Sequence, residues 1–426
     1  MTYLPNNQKK FYLKDINITL LPSGIKIISE KINHVKSFSL GFWFNVGSRD
    51  ETENESGISH FLEHMFFKGT KKRSAKKIAE DIESLGGYLN AFTSKEHTCF
   101  YGRGLSRHLE NTFEVLADMV QNSVFNPKEI EKESSVVIDE LLDIEDSPDE
   151  LIFDKFESNV FSSNPLAMPI IGNEKNLKRF RKNDLFAYVK ENYTFDRFFI
   201  VASGNIEHKN LIKYTKKYLS DKFNSTNDKV RNLTVIPCGD IYVEKETQQA
   251  HYILGCPTYG HKEKKRNIVS VLSHILGEGA SSRLFQKLRE DNGIAYQINT
   301  FLNSFYDAST FGVYLSTNDK SLDKAQQLVY EEIKKIKQKK ISEIELNRAK
   351  EYLIGNMIMS LESTTNRMLR IAQSIIYFDK IRSIEDTVKH IQKVTVNEIR
   401  DISNELFEEG NLTRVILSSK NLLKIK

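Results

Sequence analysis

The chain has 426 residues, 28% of them charged and 39% hydrophobic, and a net charge of +4. These values exclude disordered, collagen-like and low-complexity classes and predict at least two domains, each with its own core. Lys and Glu interleave along the whole length, so no basic face gathers to hold a phosphate backbone, and nucleic acid is not an expected partner. Apolar runs such as Phe198 to Ala202 and Tyr252 to Cys256 fall short of the roughly 20 residues a membrane span needs, so none is expected. Three scattered cysteines, Cys99, Cys238 and Cys256, make neither a disulfide framework nor a metal knuckle and read as core thiols in a reducing compartment. The opening MTYLPNNQKKFYLKD lacks an apolar stretch of signal length, which makes the cytoplasm of a bacterium the default location and an organelle matrix the alternative.

In chain order, ITLLPSGIKIISEK and KSFSLGFWFNVGS predict strands around a Pro-Ser-Gly turn. Helical spacing follows from Gly57 to Lys68 and from Ser74, a predicted N-cap, to Leu85. After the Gly86-Gly87 break, YLNAFTS and HTCFYGRGL read as two strands. Helices are predicted at 106–124, 128–146, 149–161 and 183–191, then the strand FFIVASG and a helix at 208–218. The polar stretch SDKFNSTNDKVRNLTVIP marks a linker, giving an N-terminal domain over 1–225, a linker over 226–239 and a second domain over 240–426. The second half repeats the order: strands IYVEKE and AHYILGC, helices at 264–277 and 281–291, strands AYQINTFLN and STFGVYLST, long helices from 321 onward and a final strand TRVILSS. A duplicated α+β unit is expected, each copy a mainly antiparallel sheet with helices packed mostly on one face.

Chemistry concentrates in GISHFLEHMFFKGT. His60 and His64 are four apart on a predicted helix, so both imidazoles leave one face and can grip one metal ion. Glu63 lies between them in sequence, placed to reach a water on the metal's open side as general base. This His-x-x-Glu-His order is the inverzincin arrangement. A catalytic zinc takes three protein ligands, and the acid-rich EKESSVVIDELLDIED supplies candidates for the third. Glu133 and Glu140, two turns apart, share a face with Val136 and Val137, where an unpaired acid is costly to bury. Residue chemistry alone leaves Asp139 and Glu140 both open. His97, His108, His251, His261 and His274 stand in no ligand spacing and read as structural or exposed, and the loop at Gly277 and Gly279 lacks the phosphate-cradling pattern.

These motifs, with FNVGSRDE, GGYLNAFTSKEHT and GEGASSRLFQKLREDNGIAY, resemble the pitrilysin family of zinc peptidases over essentially the whole chain, and in particular its short-subunit branch containing mitochondrial processing peptidase and bacterial relatives. The resemblance implies one Zn2+ per chain, with the third ligand about 76 residues after the second His, a count that lands on Glu140. It implies that Glu133 orients a ligand, that Asn90 and Ala91 lie on an edge strand taking peptide by β-augmentation, and that Phe67 lines the pocket just after the scissile bond. Glu150 and Asp154 match an acid pair that reads an arginine before the cut. Arg289 and Tyr296 match residues that reach the active site from the second half to steady peptide or oxyanion. The implied activity is endoproteolysis of peptides or unfolded segments in an enclosed chamber, with a homodimer expected. The rivals are a structural or assembly subunit of the same fold and a catalytic subunit that needs a distinct partner chain.

Overall fold

The computed structural model describes residues 15–162, 164–219, 231 and 239–419, so the expected linker lies outside the described residues except at its last position and at Arg231. One sheet holds β1 (Ile16–Leu20), β2 (Lys26–Lys31), β3 (Ser37–Phe44), β4 (Tyr88–Thr93), β5 (Thr98–Leu105) and β6 (Phe198–Gly204), in the order β1-β2-β6-β3-β5-β4. The other holds β7 (Asp240–Glu244), β8 (Ala250–Tyr259), β9 (Gln297–Ser304), β10 (Ala308–Thr317) and β11 (Thr413–Ser418), in the order β7-β11-β8-β10-β9. Without β1, the two orders are one pattern. Each sheet has a single parallel pair, β2 with β6 and β7 with β11, and all other pairings are antiparallel. The expected duplicated α+β unit is therefore present.

Two compact units organise these sheets, but not by one cut in the chain. The first is the described part of Met1–Leu141, Met168–Val230 and Met359–Glu385; the second is the described part of Leu142–Ala167, Arg231–Ile358 and Asp386–Lys426. The division into 1–225 and 240–426 thus needs correcting at two segments, for a packing reason. Helix Pro148–Val160 buries Ile152, Phe156 and Val160 with Ile253, Tyr314, Val415 and Leu417 of the second sheet. Helix Thr364–Phe378 lies on β3 and β6 of the first, where Ser39 Oγ bonds the hydroxyls of Thr364 and Thr365, each at 2.9 Å. A glycine makes room each time: a Cβ on Gly255 would meet Phe156 at 2.6 Å, and one on Gly41 would meet Met368 Sδ at 3.0 Å.

One-sided helix packing is accordingly modified. Phe42, on one face of β3, meets Phe113 of helix Leu109–Asn122 from the same half, whereas Ser39 and Gly41, on the alternate face, meet the helix lent by the other half. Both faces of the centre are covered, which explains why β6 is buried at every position. Other departures are small. A short helix, Glu174–Arg179, capped by the Asn173 side chain, was not expected, and the predicted helix at 281–291 narrows to a π-helical turn, Phe285–Glu290.

Candidate metal and catalytic site

Helix Ile58–Phe66 carries the motif and starts at Gly57, whose φ of 96° suits glycine and whose missing Cβ spares a 2.7 Å clash with the Ile171 carbonyl. Its first turn is held from outside. Glu51, fully buried, accepts the N–H groups of Gly57 and Ser59, both at 2.8 Å, and Ser59 Oγ bonds Tyr188 Oη at 2.9 Å. Burial pushes the Glu51 carboxyl up to about 8 against the pull of those donors.

From this helix His60 and His64 meet Glu140 of helix Pro127–Asp146, with ligand atoms of all three within 4.8 Å of one another. Glu140 Oε2 lies 3.9 Å from His60 Nε2 and 3.6 Å from His64 Nε2. Among the described residues no other cluster of His, Cys and acids is placed to hold a metal. His64 Nδ1–H donates to Glu133 Oε1 at 2.9 Å, which turns Nε2 toward Glu140 as the nitrogen that could hold a metal, and Lys68 Nζ forms an ion pair with the other Glu133 oxygen at 2.6 Å. Burial, with a push from His64, drops His60 to about 4, so it is neutral and ready to ligate. Burial pulls His64 down as well, but Glu133, Glu140 and Glu63 outweigh it and hold it above its ordinary value. Burial pushes Glu133 up, and its bonds to His64 and Lys68 prevail to hold it low. Two imidazole nitrogens and one carboxylate oxygen form the donor set of an open zinc site, and the residues present fit that ion.

Glu63 faces the edge strand, where Thr93 Oγ1 donates to its Oε2 at 2.6 Å. Burial raises the Glu63 carboxyl, opposed by that bond. Asn90 and Ala91 stand on β4, which ends the sheet as an edge strand should; Asn90 is exposed, and its Oδ1 accepts the Ala91 N–H at 2.9 Å. Phe67 packs half-buried against the cluster of Ile78, Ile82, Val115 and Met119. Glu133, whose side chain is 3% exposed, is the acid that is costly to bury unpaired, whereas Glu140, at 47%, is not. Arg289 and Tyr296 do come together: Arg289 Nη1 donates to the Tyr296 carbonyl at 3.1 Å, and Tyr296 is 73% exposed. They belong to the second unit, as do Glu150 and Asp154 on its borrowed helix. Glu51, Lys68 and Thr93 were not among the expected site residues, although Glu51 stands in the segment FNVGSRDE and Thr93 in NAFTS.

The family described as Insulinase (Peptidase family M16) matches residues 26–174, and the Peptidase M16 inactive domain matches residues 179–353. The chain is 35% identical to an uncharacterized zinc protease, YmxG, of Bacillus subtilis, over 94% of this chain and 98% of that one. It is 31% identical to an uncharacterized zinc protease of Rickettsia bellii, over 96% and 99%. In fold it is similar to a protease from Helicobacter pylori, with a TM-score of 0.88 at 22% identity, over 95% of this chain and 99% of that one. With its matched domains and its near full-length relatives, the chain belongs to peptidase family M16, the pitrilysin family.

Proposed function

We propose that this chain is a zinc-dependent endopeptidase acting on peptides or unfolded segments, with His60, His64 and Glu140 as ligands to one zinc ion and Glu63 as general base. The carrying observation is the convergence of those three ligand atoms beside Glu63 at the end of an edge strand. Zinc supplies, when bound, the Lewis acidity that polarises the scissile carbonyl. Glu63 takes a proton from the attacking water and returns it to the leaving amine, and burial holds its carboxyl above the ordinary value, which strengthens it as a base. Asn90 and Ala91 on β4 receive the substrate as an added strand, next to Thr93 and hence to Glu63. Phe67 borders the side chain after the cut. Glu133 fixes the His64 ring.

Arg289 and Tyr296, paired in the second unit with the tyrosine exposed, supply substrate or oxyanion contacts, and in a homodimer one chain's pair completes the other's zinc site in an enclosed chamber. Glu150 and Asp154 read a basic side chain. The intact ligand set speaks against a purely structural subunit. Replacing Glu140 with Gln should deplete zinc as measured on purified protein, and cleavage of a peptide library should fall with it and with chelator. Full zinc occupancy in that variant would remove Glu140 as a ligand and turn attention to Asp139 or Glu133.

A further inference from the structure

We infer that Thr93 is a positioning residue that aims the Glu63 carboxylate and makes the aim depend on the edge strand that takes the substrate; this rests on Glu63 being the base. Thr93 is the last residue of β4 and holds Glu63 through its hydroxyl at 2.6 Å. A carboxylate fixed through one oxygen presents the other in a set direction.

The strand end is itself fixed. The turn that follows is pinned to the segment at 47–49, because Ser48 N–H donates to the Ser94 carbonyl at 3.2 Å and Arg49 N–H to that of Lys95 at 2.7 Å. Arg49 also bonds Glu96 at 2.6 Å, with both side chains almost wholly buried. Two residues on, Glu51 holds the first turn of the motif helix. The path from Glu63 through Thr93, the turn, the 47–51 segment and Glu51 therefore returns to the helix that carries Glu63. Such a closed frame fixes the base relative to β4, and a peptide seated on β4 inherits that alignment.

The test compares Thr93→Val, which keeps shape and backbone N–H, with Thr93→Ser, which keeps the hydroxyl. Thr93→Val should lower kcat about tenfold to a hundredfold with KM within about twofold and zinc content unchanged, and Thr93→Ser should recover most of the loss. A rise in KM alone would make Thr93 a peptide contact only. Equal losses in both variants, or wild-type kcat in Thr93→Val, would overturn the proposal. In metal-free protein, the melting-point losses of Thr93→Val and Glu63→Ala should fall short of adding in the double variant. Strict additivity would also overturn it. An inactive zinc-loaded wild type would sink the peptidase reading, while this metal-free cycle still tests the contact.

Discussion

The two units share one strand order and differ where the helix after the second core strand meets the edge strand. In the first unit that helix offers Glu63 to Thr93 of β4. In the second, helix Arg266–Gly277 offers Ser273, whose Oγ bonds Thr300 of β9 at 3.1 Å and Glu278 at 2.7 Å. His274 follows it, as His64 follows Glu63, but is buried and stacked on Tyr352 at 4.3 Å. The same scaffold thus carries the proposed base and zinc ligands on one side and a neutral hydroxyl pair on the other. Fold and chemistry are separable, and a few side chains at one helix–strand contact decide between them.

The largest effect should come from the contact itself. Glu63→Gln should keep zinc and lose roughly a hundred- to ten-thousandfold in kcat, since an amide cannot take the proton, whereas Ser273→Ala should cut at near wild-type rate. Comparable losses in both would erase the distinction between the units. Next in size, Arg289→Ala or Tyr296→Phe should lower turnover roughly ten- to a thousandfold with zinc retained, which would give the second unit a catalytic share without a metal. Mixing Glu63→Gln with Arg289→Ala protein should restore activity if two chains share a chamber. Continued inactivity after demonstrated subunit exchange would exclude that arrangement, and a wild type active only with a different chain would point to a heteromeric enzyme.

The smallest effect concerns the anchor of the motif helix. Glu51 titrates at about 8 in the folded chain, against an ordinary 4.5, so between those values the folded state holds a proton that the unfolded state has released. Its contribution is full below 4.5 and is lost as pH rises through 8. Urea midpoints of the wild type should fall from about pH 5 to about pH 9, and Glu51→Gln should flatten that slope. An unchanged slope would separate Glu51 from the pH dependence.

Legibility in the sequence followed the range of the interaction. His60, Glu63 and His64 were readable because an i, i+4 spacing is local, and Glu140 needed the family resemblance because its neighbour Asp139 has the same chemistry on the same helix. The strands and most helices followed from period alone. Nothing local says which sheet a helix covers, so the exchange of Pro148–Val160 and Thr364–Phe378 was invisible, although the unbroken apolar run in β6 already signalled a strand covered on both faces. Thr93 and Glu51 escaped for the same reason. A hydroxyl or a carboxyl in a strand or loop becomes a clamp only once a distant helix has docked on it.

The lent helices also bear on how the molecule melts. Each core contains one helix encoded in the opposite half, so losing either core strips a covering helix from its proper seat and exposes the apolar residues Ile152 and Phe156, or Met368 and Ile371, together with the strands beneath. Neither half of the gene encodes a complete core, and heat should therefore take the chain apart in one cooperative transition rather than two.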